Sequence, residues 1–136
     1  MQKEPVIPPS QQSYVDDWHF SPGVWANDLL FLSGVTGTNR QTGEIPGDFE
    51  SQARNAFETV QEVLGEAALS WDDVVDLTTY HIGLSDHGKS FRKIKDEYIK
   101  APYPAWTAIG VSELATPGLV IELKVVAMRR REGKEK

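Results

Sequence analysis

Apolar residues recur at intervals of three and four after Asp48, and this period predicts one long amphipathic helix. Asp48 is the predicted N-cap, and Glu50 is favourably placed in the first turn. The opposite face is polar, so we interpret it as solvated surface. The apolar face comprises Phe49, Ala53, Ala56, Phe57, Val60, Val63, Leu64 and Ala67.

Residues Val74 to Leu84 alternate in character, which predicts a strand with two different faces. His81 is expected on the more polar face, together with Thr79. A histidine in such a place is either a satisfied structural residue or a base, and the structural role is the commoner one.

A second helix is predicted after Ser85-Asp86, which offers a cap, and it ends before Pro102. Its buried stripe is formed by Phe91, Ile94, Tyr98 and Ile99. The residues after Pro104 then read as a strand, and a Pro-Gly turn at Pro117-Gly118 leads into a second β-prone run, Leu119 to Ala127.

Residues 1–12 contain three prolines and several polar residues, so they are predicted to be a flexible or extended lead-in. A hairpin is predicted next, with Ala26-Asn27-Asp28 joining Val24-Trp25 to Leu29–Ser33. The continuous apolar run Leu29 to Leu32 is typical of a strand that is covered on both faces.

The predicted order is strand, strand, helix, strand, helix, strand, strand, which defines an α+β fold in one domain, residues 1–136. Two helices cover one face of the mixed sheet. Because the other face also carries apolar groups, such as Val126 and Met128, we expect a closed homo-oligomer. Residues 129–136 form a polar tail that is expected to fray.

Composition excludes several classes of protein. The 136 residues carry a net charge of −6, which argues against extensive contacts with nucleic-acid phosphates. There are no cysteines, and the three histidines have no recognised metal spacing, so neither a metal nor a cofactor is expected. No apolar run is long enough to span a membrane, and a cytoplasmic location follows by default.

Glu122 is a lone acid in the apolar run that ends the sheet. It lies either on a solvated face beside Lys124 or at the edge of a cleft. In a cleft, a carboxylate on a rigid strand can activate water or shuttle a proton.

Six short segments, taken together, resemble the Rid/YjgF family of reactive-intermediate deaminases, in the family's order and over roughly Phe20 to Met128. They are Leu32-Ser33-Gly34, Thr42-Gly43-Glu44-Ile45-Pro46, Gln52-Ala53-Arg54, Asp73-Val74-Val75 with Thr78-Thr79, Tyr103-Pro104-Ala105, and Ile121-Glu122-Leu123 with Val126-Ala127. The resemblance implies a chorismate-mutase-like fold, assembled as a homotrimer with a central barrel and with small-molecule clefts between subunits. It also implies hydrolysis of imines or enamines, such as 2-aminoacrylate, to a keto acid and ammonia.

By the same resemblance, Glu122 is the water-positioning, catalytic residue. Ser33 and Gly34 match a Ser-Gly turn that lines the pocket, and Ala108 matches a position that offers a backbone N–H. Phe20 stands where the family often has tyrosine. Trp106 stands where the family has the arginine that clamps the substrate carboxylate, so that clamp is absent.

Two further residues have open roles. Lys95 aligns with a pocket-lining asparagine of the family, and it is either a cation for the pocket or an exposed helical lysine. Trp106 either fills the cleft or interface by packing, or it reshapes the pocket for a larger, less acidic, ring-containing substrate.

Two functions follow. The first is imine or enamine hydrolysis of a substrate other than 2-aminoacrylate. The second is a non-catalytic, trimeric small-molecule-binding protein of the same fold. Ribonuclease activity, attached to some relatives, is disfavoured by the acidic charge and by the lack of a histidine pair.

Overall fold

One mixed sheet is the centre of the computed structural model, which describes residues 3 to 130. The strands are β1 (Glu4–Val6), β2 (Gly23–Ala26), β3 (Leu29–Leu32), β4 (Val35–Thr36), β5 (Val74–His81), β6 (Ala105–Gly110) and β7 (Ile121–Met128). The α-helices are α1 (Gln12–Trp18), α2 (Phe49–Glu66) and α3 (Leu84–Tyr98), with short 3-10 turns at Pro9–Gln11 and Trp71–Asp73.

Strand β7 lies inside the sheet, whose order is β1-β2-β3-β7-β5-β6. The short β4 pairs with β7 beyond the end of β3. Only β5 and β6 run parallel among these pairs, as a helical crossover through α3 allows. Glu122 is therefore held on a central strand, opposite Thr36 of β4 and Tyr80 of β5.

Helix α2 forms as the pattern predicts. The side chain of Asp48 accepts a hydrogen bond from the backbone N–H of Ser51 at 2.9 Å, which confirms the predicted N-cap. The apolar face of the helix packs on the sheet, and Phe57 is fully buried there. The predicted hairpin between β2 and β3 also forms, with Asn27 in the left-handed conformation (φ 55°) that its turn requires.

Helix α3 begins earlier than predicted. Its N-cap is Gly83, in the left-handed conformation (φ 76°), so the predicted cap at Ser85-Asp86 is wrong. Gly83 turns the chain directly from β5 into the helix, and its carbonyl accepts hydrogen bonds from the N–H groups of Asp86 and His87. Phe91 and Ile94 are buried as predicted, and Lys95 is buried with them.

The N-terminal segment has regular structure where a lead-in was predicted. Strand β1 pairs antiparallel with β2, and the buried Gln11 donates a hydrogen bond to Glu62 of α2 at 2.9 Å. The prolines led us to predict no regular structure here. Proline is, however, well suited to the first position of a helical turn, and Pro9 begins the 3-10 turn. Of the two alternatives, a flexible lead-in is wrong from Glu4 onward, and an extended one agrees with β1.

The C-terminal tail is anchored at its start. Arg129 stacks on the ring of Trp25, 3.9 Å from the ring centroid, and Arg130 pairs with Asp73 at 3.0 Å. The rest of the predicted tail, residues 131–136, lies outside the described residues. Within the described part of the chain, no helix has the length and apolar character needed to cross a membrane.

The two faces of the sheet differ. Helices cover the face of Leu30 and Leu32, both fully buried, but Leu29 and Phe31 on the opposite face are 36% and 41% exposed. The prediction that this strand is covered on both faces is wrong for one chain, because the helices reach only one side. His81 also lies on the helix-covered side and is fully buried, which corrects its placement on the more polar face.

Candidate functional site

Glu122 lines two cavities among the described residues, and the one bounded by α1 has a volume of about 440 Å³, in the range of small-molecule sites. The other, of about 490 Å³, lies on the side of Lys124 and Tyr80. We call the one bounded by α1 the Glu122 cavity. It lies between α1, the chain from β3 to β4, and the loop of residues 37–47. Four of the predicted site residues line it together: Phe20, Ser33, Gly34 and Glu122.

The carboxylate of Glu122 rests directly on the backbone of Gly34. A methyl group at Gly34 would lie 2.0 Å from Glu122 Oε2, so the close approach needs glycine at this position. Among residues 3 to 130, no side chain or backbone group donates a hydrogen bond to this carboxylate. Glu122 is thus a half-buried acid with open acceptor positions at the wall of a cavity.

Lys124 lies two residues further along β7, on the same face as Glu122. Its ammonium donates to the backbone carbonyl of Leu32, which fixes it beside the acid. Burial raises the pKa of Glu122 above the ordinary value, and the positive charge of Lys124 offsets this only in part. Burial likewise lowers the pKa of Lys124, against the opposing effect of Glu122.

Ser33 and Phe20 shape one wall of the cavity. The Ser33 hydroxyl donates to the carbonyl of Ser21 at 2.7 Å, so this hydroxyl is already used by the chain and holds the turn. The Phe20 ring stacks on Tyr14, with ring centroids 5.1 Å apart. The resemblance implied that a tyrosine hydroxyl is missing at Phe20, but the neighbouring Tyr14 places a phenol on the same wall of the cavity.

Sequence reasoning missed Tyr14 and Arg40, which both line the cavity. Tyr14 belongs to α1, a helix that the proline-rich start of the chain concealed. Arg40 belongs to a loop without periodicity, and its Nε donates to Glu62 at 2.8 Å. No sequence signal marked Arg40, because its partner Glu62 was interpreted as solvated helix surface.

Trp106 and Lys95 lie elsewhere, in a group that we call the tryptophan cluster: Thr79, His81, Phe91, Lys95 and Trp106. Lys95 Nζ is 4.7 Å from the centroid of the Trp106 ring, and that ring packs against Phe91. The indole Nε1 donates to Thr79 Oγ1 at 3.1 Å. The side chain of Trp106 is therefore held by contacts within its own chain.

His81 completes this chain of hydrogen bonds. Its Nε2 is 2.7 Å from Thr79 Oγ1, and burial lowers the pKa of His81 to about 4, with a smaller contribution from His87. The imidazole is neutral at pH 7, and the tautomer of the ring sets which of Thr79 Oγ1 and His81 Nε2 is the donor. The Thr79 hydroxyl also accepts from Trp106, and His81 Nδ1 is buried without a partner among residues 3 to 130. His81 has the buried, structural surroundings that the commoner interpretation of such a histidine describes.

The structure thus divides the seven predicted site residues into two groups. Lys95 and Trp106 do not line the Glu122 cavity within one chain, and Ala108 lies on the exposed strand β6 opposite Thr79. Among the described residues, no group of three or more histidine, cysteine, aspartate or glutamate side chains could hold a metal ion.

The fold and the cavity define a small α+β protein with a half-buried carboxylate at a cavity against the sheet. The chain belongs to the Endoribonuclease L-PSP family, whose model matches residues 12–129. This result confirms the resemblance to the Rid/YjgF family.

Relatives with solved structures share the architecture. The chain is 34% identical to the RutC family protein YjgH of Escherichia coli over 93% of this chain and 95% of that protein. Its structural match to protein YjgH has a TM-score of 0.87 at 32% identity, covering 97% of this chain and all of the other.

The chain is also similar to TdcF of Escherichia coli, which is named as a proposed reactive intermediate deaminase. The identity is 31% over 79% of this chain and 84% of TdcF. A crystal structure of TdcF with bound serine matches with a TM-score of 0.71 at 29% identity, covering 82% and 88% of the two chains. The α+β fold, with one sheet and three helices among the described residues, is therefore that of YjgF-family structures.

Proposed function

We propose that this protein hydrolyses an imine or enamine, with Glu122 as the catalytic residue. The observation that carries the proposal is the half-buried Glu122 carboxylate, set against Gly34 and open to a cavity of about 440 Å³. A general base must lie within reach of the water that it activates, and its basicity rises with its pKa. The raised pKa of Glu122 therefore suits this task.

The reaction requires one water and no oxidant. Glu122 accepts a proton from water while the water oxygen bonds to the carbon of the protonated imine. The carboxyl group then returns that proton to nitrogen, and Glu122 accepts the hydroxyl proton as the C–N bond breaks and the carbonyl product forms. The departing ammonia takes up this second proton as ammonium, which restores the carboxylate. An enamine first gains a proton at carbon to become the protonated imine. The charge of Lys124 favours the ionised form of Glu122, because it opposes the effect of burial on the pKa of this carboxyl.

The proposal includes a homotrimer in which a neighbouring copy completes each cleft. It is supported by the apolar residues left exposed on the uncovered face, among them Phe31, Ile109 and Met128, and by the unpaired outer edge of β6. In such an assembly, Trp106, Ala108 and Lys95 of one copy would approach the Glu122 cavity of the next. Trp106 in place of the family's arginine is why the substrate is proposed to differ from 2-aminoacrylate.

The experiment follows keto-acid release from imines generated by a dehydratase. The wild-type protein is expected to exceed the buffer rate, and Glu122→Gln is expected to lose at least about a hundredfold of that rate. Glu66→Gln, a change at an exposed position of α2, is the matched control. A wild-type rate equal to buffer for a range of imines, or full activity in Glu122→Gln, would overturn the proposal.

A second candidate is a non-catalytic small-molecule-binding trimer of the same fold. The observation that favours it is the fixed position of Trp106, whose indole N–H donates to Thr79. The family resemblance implies a substrate-binding arginine at this position. A pure binding protein would show a ligand-dependent rise in Tm while the ligand stays intact. Turnover of the same ligand would exclude this alternative.

Endoribonuclease activity, which the family's description names, is not proposed for this chain. The net charge of −6 disfavours binding to RNA phosphates. His81 is fully buried in the tryptophan cluster and could not reach an RNA backbone.

A further inference from the structure

Arg40 is the one cationic side chain among the described residues that line the Glu122 cavity. Its side chain is only 18% exposed, and its Nε donates to Glu62 Oε1 at 2.8 Å. The other donors of the guanidinium have no acceptor within hydrogen-bond distance among residues 3 to 130. Arg40 therefore combines a fixed position with unused hydrogen-bonding capacity at a cavity wall.

Glu62 holds Arg40 in place. The same oxygen, Glu62 Oε1, also accepts hydrogen bonds from Ser10 and Gln11, so the carboxylate is anchored before Arg40 binds to it. Burial alone would raise the pKa of Glu62, but these hydrogen bonds and the charge of Arg40 together lower it. Glu62 is therefore ionised at neutral pH, and it orients the guanidinium through Nε.

A guanidinium bound only through Nε can still present its terminal NH₂ groups to an anion. Two parallel N–H donors match the two oxygens of a carboxylate, and such charge-assisted pairs are among the stronger hydrogen bonds in proteins. The terminal NH₂ groups of Arg40 are not among the buried unpaired atoms, so they are open to a ligand from the cavity side. The most complementary occupant beside Arg40 is thus a small anion.

The wall next to Arg40 is aromatic. Tyr14 and Phe20 form a stacked pair with ring centroids 5.1 Å apart, and Trp18, which is 66% exposed, lines the same cavity. The charge of Arg40 reaches this wall, because it opposes the burial that raises the pKa of Tyr14. An apolar or ring-shaped group can lie on these rings while its acidic group faces Arg40.

We propose that Arg40 binds the acidic group of the substrate, and that the substrate class is a small carboxylic acid with an apolar or ring-shaped portion. This proposal rests on the proposed function for its catalytic part, since Glu122 lies in the same cavity. The anion is held by an arginine from the loop of residues 37–47, in a place distinct from that of Trp106 on β6.

The experiment measures binding of benzoate and benzamide by titration calorimetry, a readout that does not depend on turnover. The wild-type protein is expected to bind benzoate more tightly than benzamide. Arg40→Gln should weaken benzoate binding about tenfold or more and leave benzamide binding nearly unchanged. Arg54→Gln is the matched control, because Arg54 lies on α2 outside the cavity and pairs with Glu97.

Two further variants keep the result interpretable. Glu62→Gln removes the ionic partner that orients Arg40, so it should weaken benzoate binding and leave benzamide binding nearly unchanged, which tests the site even if Arg40→Gln proves unstable. Glu122→Gln should retain the preference for benzoate while it loses imine hydrolysis, so failure of the reaction and failure of the anion site are told apart. Equal binding of benzoate by wild type and a folded Arg40→Gln, or no preference for benzoate in the wild type, would overturn the proposal.

Discussion

Trp106 and Lys95 of the tryptophan cluster were expected to share a site between subunits with Glu122, and within one chain the cluster and the Glu122 cavity differ in how their polar groups are paired. In the tryptophan cluster, the indole N–H of Trp106 donates to Thr79, whose hydroxyl lies 2.7 Å from His81. In the cavity, the Glu122 carboxylate has no hydrogen-bond donor from residues 3 to 130, and Arg40 uses only its Nε.

This difference separates structural from functional polar groups. Buried polar groups are normally paired, and the Thr79 hydroxyl is explained by the fold alone because it is bonded to both Trp106 and His81. His81 is paired only through Nε2, since its buried Nδ1 has no partner among residues 3 to 130. A half-buried acid beside a cavity is costly for the fold, and a role in binding or catalysis explains its presence. The reactive residue of this protein is accordingly expected at Glu122, while Trp106 stabilises the α3 side of the sheet.

Among the variants that test the difference between the two regions, Gly34→Ala is expected to have the largest effect, a loss of kcat/KM. The new methyl group would lie 2.0 Å from Glu122 Oε2, so the carboxylate must move out of position. We expect kcat/KM for imine hydrolysis to fall at least about tenfold, because small displacements of a catalytic group are costly. Thermal unfolding should change little, since the displaced group is the end of a flexible side chain.

The control for this variant is Gly65→Ala in α2, where an added methyl group would meet nothing within 4 Å. It should keep full activity and unfold at the same or a higher temperature. Unchanged kcat/KM in Gly34→Ala would show that the position of the Glu122 carboxylate does not matter for the reaction.

The next largest effect is the contribution of His81 to the pH dependence of the free energy of unfolding. Its pKa is about 4 in the folded chain and 6.5 in the unfolded chain, so the unfolded chain binds the proton more readily between these values. The stabilisation is fully present above about pH 6.5 and is lost as the pH falls towards 4. From pH 7 to 5 this one residue should lower the free energy of unfolding by about 1–2 kcal/mol.

Urea unfolding at pH 7 and pH 5, at one fixed protein concentration, measures this loss. His81→Gln should remove that part of the pH dependence, because glutamine does not titrate. A variant whose stability falls with pH as steeply as that of the wild type would contradict the assignment of a neutral, buried imidazole.

A smaller effect is expected from Trp106→Phe, which removes the indole N–H that Thr79 accepts. The free energy of unfolding should decrease by about 1 kcal/mol, as is usual for one lost hydrogen bond. Trp18→Phe is the control, since Trp18 is 66% exposed, and it should change stability by less than about 0.5 kcal/mol. Equal stability of both variants would argue against the anchoring of Trp106.

The smallest effect concerns the acid limb of the pH–rate profile. Glu122 must be ionised to act as a base, so kcat/KM should fall as the pH drops through its raised pKa, above the ordinary value of 4.5. Lys124→Met removes a charge that lowers this pKa, so the limb should move to higher pH. An acid limb that stays in place or moves to lower pH would show that the charge of Lys124 does not lower the pKa of Glu122.

Local patterns predicted much of the fold. The period of three and four identified α2 and its cap at Asp48, and Ala26-Asn27-Asp28 correctly gave the hairpin. Three elements were missed for physical reasons: β1 and β4 have three and two residues, too few to show an alternation, and α1 follows a proline-rich start.

The candidate site was less accessible to sequence reasoning. Phe20, Ser33, Gly34 and Glu122 were found through the family resemblance, and the structure brings them to one cavity. Arg40 carried no signal, because its position depends on a contact with Glu62 that is twenty-two residues away in the chain. The inward direction of His81 likewise depends on which face the helices cover, and strand alternation alone does not contain that information.

The central claim is that chemistry depends on the Glu122 carboxylate rather than on the tryptophan cluster. The most direct measurement compares kcat/KM for one imine substrate in wild type, Glu122→Gln and Trp106→Phe. We predict a loss of at least about a hundredfold in Glu122→Gln and a rate within about fivefold of wild type in Trp106→Phe. A folded Glu122→Gln with wild-type kcat/KM, or a greater loss in Trp106→Phe, would contradict the claim.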